Sequence, residues 1–349
     1  PGQWHAHEMI FGTYGAALAG FLASAMPEWT DTKARSGKAL LLLAGLWLPG
    51  RLIGLVGADA LIIIAAATDL AFLLLLLFFV ATPLVARRST RHGSFVLWVG
   101  LFALLELSIR AAWLTGETAL SGRLLHAALA VFLVFLSLAI ARINVVVVNH
   151  ALDPSGETTP YRPHPGRQNL TAGLVALQLA AALLWPDSAV PAWLALAAAA
   201  AFFDRLAEWF IGRAVLRAEV LALATANTYG GLGFLAIGLS GLGAPLSPTT
   251  GLHLLSVGAL GLAVMAVFVI AGLRHSGRDL VLPASAKYAL AAMAAAGLVR
   301  TLPELGIGAG LAGLHYTLAA MLWSAAFAIW LVGFWPILNA GKGEDSGCG

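Results

Sequence analysis

Long apolar runs, broken by short clusters of Gly, Pro and charged residues, recur from one end of the chain to the other. They are too long and too uniformly apolar for the alternation of a β-barrel strand, and each approaches the roughly 20 residues that carry a helix across a bilayer. Eleven helices are expected, near 8–26, 38–56, 59–85, 94–115, 121–148, 169–186, 189–213, 217–240, 251–273, 284–300 and 309–337. The pattern predicts an all-α, polytopic transmembrane helical bundle, with residues 1–337 as a single transmembrane domain. Its longest polar connection, NHALDPSGETTPYRPHPGRQN, has turn chemistry and no apolar period. Residues 149–168 therefore read as a loop between two sub-bundles, and residues 338–349 as a polar tail.

Composition agrees with a bilayer as the principal partner. Hydrophobic residues make up 60% of the chain and charged residues 11%, and mean hydropathy is +0.87. The net charge of +3 comes from basic residues scattered over many connections, so no nucleic-acid stripe forms. Their distribution sets a topology instead. Of the 20 Lys and Arg, only Arg51, Arg110, Arg123 and Arg300 fall on one side. The others, among them Lys33, Arg87, Arg91, Arg142, Arg213, Arg274 and Lys342, fall on the opposite side, which the positive-inside rule makes cytoplasmic. The WHAHE stretch then faces outward and the C-terminus the cytoplasm. A twelfth helix upstream of Pro1 would place both termini inside. The single cysteine, Cys348, forms no CxxC or CxxCH, which excludes covalent haem attachment and a thiolate zinc site. Walker A, HExxH and serine-elbow motifs are also absent from the sequence.

Histidine placement tests that topology independently. His92, His150, His164 and His275 fall on the cytoplasmic side, in loops or at helix ends. His5, His7, His126, His253 and His315 all fall near the outer ends of four different spans, within roughly 10 Å of the surface at 1.5 Å of rise per residue. Imidazole is the commonest metal ligand, and helical bundles build metal and cofactor sites from side chains on facing helices. His7, His126, His253 and His315 are accordingly the candidate cofactor ligands, and His5, His7, His253 and His315 the candidate metal ligands. On a helix His5 and His7 point apart; in an extended stretch they could chelate together. Glu8 is placed to fix a histidine ring N–H or to move protons.

Other intramembrane charges call for partners. Glu106 and Arg110 stand one helical turn apart, which predicts an ion pair, with a proton-path role as the functional reading. Asp204, Arg205 and Glu208 invite the same reading. Asp69 and Asn227 are expected to bond neighbouring helices. Tyr316 follows His315 directly and could donate a hydrogen bond or a proton.

The opening stretch, WHAHEMIFGTYGAALAGFLASAMPEWT, resembles the start of the NnrS family of bacterial inner-membrane proteins through Trp4, His5, His7, Glu8, Met9, Pro27, Trp29 and Thr30. A second stretch, LHLLSVGALGLAVMAVFVIAGLRHSGRDL, is similar to a later family segment through His253, Gly258, Gly261, His275, Gly277 and Arg278. The chain departs from the family at ATANTYGGLGF, which lacks a histidine often found there. The resemblance implies a twelve-helix inner-membrane protein that carries haem b and copper and is linked to nitric oxide. Its partners would be that diatomic gas and an electron donor or redox complex. Catalysis would be that of a haem- and copper-dependent oxidoreductase, for which no catalytic residue is assigned. A secondary transporter coupled through Asp69, Glu106, Asp204 and Glu208, or a non-catalytic subunit or assembly factor of a redox complex, are the alternatives.

Overall fold

The computed structural model describes residues 2–90 and 92–340; Arg91, Lys342, Cys348 and the rest of the tail from 341 onward lie outside the described residues. Every one of the eleven expected segments is helical. In chain order they are α1 Gly2–Thr30, α2 Lys38–Val56, α3 Asp59–Arg87, α4 Gly93–Leu114 and α5 Thr118–Leu152. There follow α6 Pro165–Leu184, α7 Val190–Trp209, α8 Ala218–Gly241, α9 Pro248–His275, α10 Ala284–Thr301 and α11 Leu314–Asn339. Among the described residues, nine are long and apolar enough to cross a membrane. The other two are α6, whose apolar part is confined to Asn169–Leu184, and α10, which is Ala-rich and carries Lys287 and Arg300. The molecule is a helical membrane bundle.

The chain forms two compact units, Pro1–Phe135 and Leu136–Gly349, with α5 running through the boundary. In the first unit, α1 is the buried element. Phe11, Tyr14, Leu18, Leu22 and Met26 of α1 are almost fully covered, and Phe11 stacks on Phe102 of α4 at 4.4 Å. Helix α2 does the opposite, leaving Leu41, Leu52, Leu55 and Val56 exposed, as a surface solvated by acyl chains allows. In the second unit α8 and α9 are the buried elements, with Leu223, Ala226, Phe234, Leu260 and Met265 enclosed.

Helix ends depart from the apolar pattern where local chemistry overrides it. Helix α5 continues to Leu152, so the central loop spans only 153–164. Helix α11 begins at Leu314 because Gly306, Gly308 and Gly313 take left-handed or other positive-φ conformations ahead of it. Regular α geometry in α7 ends at Asp204, and Arg205–Trp209 follow as a 3-10 turn. Two π-helical stretches, Glu8–Tyr14 in α1 and Leu254–Gly261 in α9, leave no trace in the apolar period.

Candidate functional site

The two π stretches share a design. In α1 a six-residue α segment ends on His7 and the π turns begin at Glu8; in α9 a six-residue α segment ends on His253 and the π turns begin at Leu254. A glycine follows each histidine by five residues, Gly12 and Gly258, and a second by eight, Gly15 and Gly261. Widened turns of this kind concentrate at functional sites. Each histidine also meets an Arg–Glu pair spaced one helical turn apart.

In the first unit that pair is Glu106 and Arg110 of α4, joined at 2.7 Å. His7 is buried, and its Nε2 lies 2.8 Å from Oε2 of Glu106 and 3.2 Å from Arg110. Its Nδ1 lies 3.3 Å from Oε1 of Glu8. Asp69 of α3 completes the group: its Oδ2 accepts from Arg51 of α2 at 2.9 Å and from Arg110. Arg51 in turn reaches Glu8 at 2.6 Å. Three carboxylates, two guanidiniums and one imidazole from four helices thus form a continuous network. Ligand atoms of His7, Asp69 and Glu106 all lie within 4.8 Å of one another, so this buried group can hold a metal ion.

The network fits because α2 turns its smallest residues toward it. A methyl group on Gly50 would fall inside the Asp69 carboxylate, and one on Gly54 would stand 2.7 Å from the Trp4 indole nitrogen. Gly50 and Gly54, four apart on one helix face, let α2 approach closely enough for Arg51 to enter. At the mouth of α1, the Gln3 amide accepts from Trp113 at 2.7 Å and from Ser121 at 2.8 Å, tying α1 to α4 and α5. The His7 ring stacks on Phe11, which holds its plane.

In the second unit the pair is Arg300 of α10 and Glu304 in the turn beyond it, 2.8 Å apart. A guanidinium only donates, so the 2.8 Å contact from Arg300 to His253 makes Nε2 of His253 the acceptor and puts its proton on Nδ1. Nδ1 lies 3.6 Å from Glu304. Thr250 donates to the other Glu304 oxygen at 2.9 Å. His315 of α11 approaches the same carboxylate, its Nε2 being 3.9 Å from Oε1. That Nε2 is buried and has no hydrogen-bond partner among the described residues. Nδ1 of His315 meets both the Gly313 N–H at 3.1 Å and the Leu311 carbonyl at 3.3 Å, so the backbone can serve either tautomer. Tyr316 is exposed, with the Arg300 guanidinium 4.1 Å above its ring.

The expected histidines therefore separate. His7 joins Glu8, Glu106 and Arg110 as a cluster, and His253 and His315 flank one glutamate. Because residues 2–7 are helical, His5 points away from His7 and is exposed; His126 is exposed too and makes no hydrogen bond to a described residue. Sequence reasoning did not place Arg51 in the first cluster or Glu304 in the second. The signal for Arg51 was present, as it stands inside GRLIG, a charge on a small-residue crossing face.

The remaining intramembrane charges form a third group in the second unit. Arg205 is fully buried and pairs with Glu208 at 3.2 Å. Glu208 also accepts from Asn144 at 2.8 Å, and Asn144 accepts from Trp209 at 2.8 Å. Asp204 turns outward to Arg167. In the central loop, Tyr161 accepts from Asn144 at 3.3 Å. Its hydroxyl is pushed up to about 12 by burial and by the Glu208 carboxylate beside it. Asp153 accepts hydrogen bonds from Ser155 and Thr158, which hold its carboxyl below the ordinary range. Asn227 donates to the Phe202 carbonyl, bonding α8 to α7 as expected.

Comparison with known proteins returns one family: the model described as NnrS protein matches residues 1–341. No curated protein matches the chain, and no solved structure does.

Proposed function

Because the chain belongs to the NnrS family, we propose that it is an inner-membrane haem protein, with copper as a further cofactor, that binds or processes nitric oxide or a related diatomic gas. Its role would be protection against nitrosative stress, its histidine clusters facing the periplasm and its C-terminus the cytoplasm. The observation that carries this reading is the buried Nε2 of His315, which has no hydrogen-bond partner among the described residues. With the Nδ1 proton given to the Leu311 carbonyl, the Nε2 lone pair is free for a metal. His315 is the ligand we assign first. His253 is held nearby, but its Nε2 accepts from Arg300, so it ligates only after that contact is released. A single imidazole ligand would suit gas binding, whereas two would favour electron transfer. When bound, haem supplies the iron that takes the gas. The protein's own part is to orient His315 through the Gly313–Leu311 backbone and to hold Arg300 and Glu304 beside it.

The test is a spectrum. Protein purified in detergent is expected to show a Soret band that sharpens with dithionite, a positive pyridine haemochrome and a shift on nitric oxide addition. His315→Gln is expected to lose the band while His126→Ala keeps it. A colourless, folded protein removes the redox reading. It would favour the transporter alternative, for which the interruption of α7 at Arg205–Trp209 beside a buried Arg–Glu pair is the supporting feature. Uptake into proteoliposomes would then be the assay, and co-purifying subunits would point to a role inside a larger complex.

A further inference from the structure

The network around His7 has two properties that an ordinary ion-pair cluster lacks. Its charges do not cancel: Glu8, Asp69 and Glu106 face only Arg51 and Arg110, which leaves one negative charge over when His7 is neutral. And one buried oxygen is idle. Both guanidinium contacts to Asp69 fall on Oδ2, while Oδ1 is buried without a hydrogen-bond partner among the described residues. Leaving a buried carboxylate oxygen unsatisfied is costly, and such an atom needs an explanation.

Glu106 divides its oxygens in the same way. Oε1 goes to Arg110, and Oε2 faces Nε2 of His7. Glu106 thus gives one oxygen to an arginine and turns the other toward the histidine, while Asp69 gives Oδ2 to both arginines and its Oδ1 lies beside Gly50 of α2. Ligand atoms of the three residues still lie within 4.8 Å of one another. On the far side of that ring, Glu8 stands where it can accept an Nδ1 proton. Carboxylate, imidazole and ion in that order is the arrangement that fixes the tautomer of a metal-bound histidine.

We infer that His7, Asp69 and Glu106 form a binding site for one divalent cation of manganese, ferrous iron or zinc type, with Glu8 positioning His7. Two carboxylate oxygens and one imidazole make a donor set without sulfur, which suits borderline and hard divalent ions better than cuprous copper. In this respect the set differs from the copper centre expected of the family. His7 would bind through Nε2 as a neutral imidazole with its one proton on Nδ1 toward Glu8, once Nε2 is released from Arg110, and the ion's two positive charges more than offset the surplus negative charge. The site uses residues of the first unit alone and does not depend on what His315 binds.

The experiment is a Mn²⁺ titration of the chelator-treated, detergent-purified full chain, read by loss of the free-ion electron paramagnetic resonance signal. The expected result is one saturable ion per chain. His7→Gln and Asp69→Asn should each weaken it by at least about tenfold, and Glu8→Gln by roughly tenfold, through loss of the ring's orienting partner. His315→Gln should bind Mn²⁺ as the parent does, which separates this site from the proposed haem ligand. A rise in Tm with Mn²⁺ in the parent, absent in His7→Gln, would show the ion bound to folded protein. No saturable binding by the parent chain overturns the inference. So does parent-like binding by both His7→Gln and Asp69→Asn.

Discussion

Nε2 of His7 lies 2.8 Å from Oε2 of Glu106, a residue 99 positions further along the chain, and both side chains are buried. This contact joins the mouth of α1 to the middle of a helix three spans later.

Removing Glu106 strands charge. Glu106→Ala leaves Arg110 with only Asp69 and His7 for partners, and losing one member of a buried pair typically costs about 3–5 kcal/mol. Glu106→Gln keeps an oxygen for the Arg110 N–H and should cost far less. Thermal melting in one detergent, comparing the two variants, checks the order. Equal melting temperatures for Glu106→Ala and the parent would mean that the network contributes nothing to stability.

The close approach of α2 predicts a sharp contrast between two glycines of the same helix. Gly50→Ala drives a methyl into the Asp69 carboxylate, an overpacking that costs about 1–3 kcal/mol. Gly45→Ala meets nothing within 4 Å and should be neutral or slightly stabilising, since alanine is the better helix former. The difference in Tm between the two is the measurement.

Arg205 and Glu208 should behave as a unit. Arg205→Met alone leaves a buried carboxylate with only Asn144 and Tyr161 beside it and costs about 3–5 kcal/mol. Arg205→Met with Glu208→Met removes both charges and should recover most of that loss, because apolar replacements of buried pairs are often neutral. A double-mutant cycle on unfolding gives the coupling; simple additivity would contradict it.

Alkaline stability should carry the mark of Tyr161. Its hydroxyl ionises near 10 in an unfolded chain and about 12 in the fold. A group raised in this way contributes its full stability below pH 10 and loses it as pH rises through 12. Tyr161→Phe should flatten the fall in Tm between those values. The opposite sign holds at Asp153, whose lowered carboxyl contributes above its ordinary range and loses that contribution on acidification. Hydrogen exchange in the central loop reports both.

The helices were legible because burial in lipid demands uninterrupted apolar length, and runs such as LIIIAAATDLAFLLLLLFFV leave no other reading. The i, i+4 ion pair of Glu106 and Arg110 was legible because one helix dictates it. Arg51 and Asp69 joining that pair was not, since their meeting depends on how α2, α3 and α4 cross. Glu304 escaped for a different reason. It lies in a turn past the end of α10, and its tie to His253, His315 and Thr250 is made entirely by tertiary approach. The π stretches were invisible because every residue from Glu8 to Tyr14 is compatible with ordinary helix.

A π stretch has a length consequence. Each accommodates extra chain relative to α geometry, so deleting one residue between Glu8 and Tyr14 allows regular turns to run straight through. One residue of α-helix is about 100° of rotation. Wound as regular α-helix at the full residue count, by contrast, the segment before Glu8 would swing by about that angle and carry His7 off the face that meets Glu106, with the hydrophobic content of α1 unchanged. The same reasoning applies to His253 and the stretch Leu254–Gly261. In both places the position of a reactive ring is set by residue count, so a helix that still inserts in the membrane can nonetheless lose its histidine from the site.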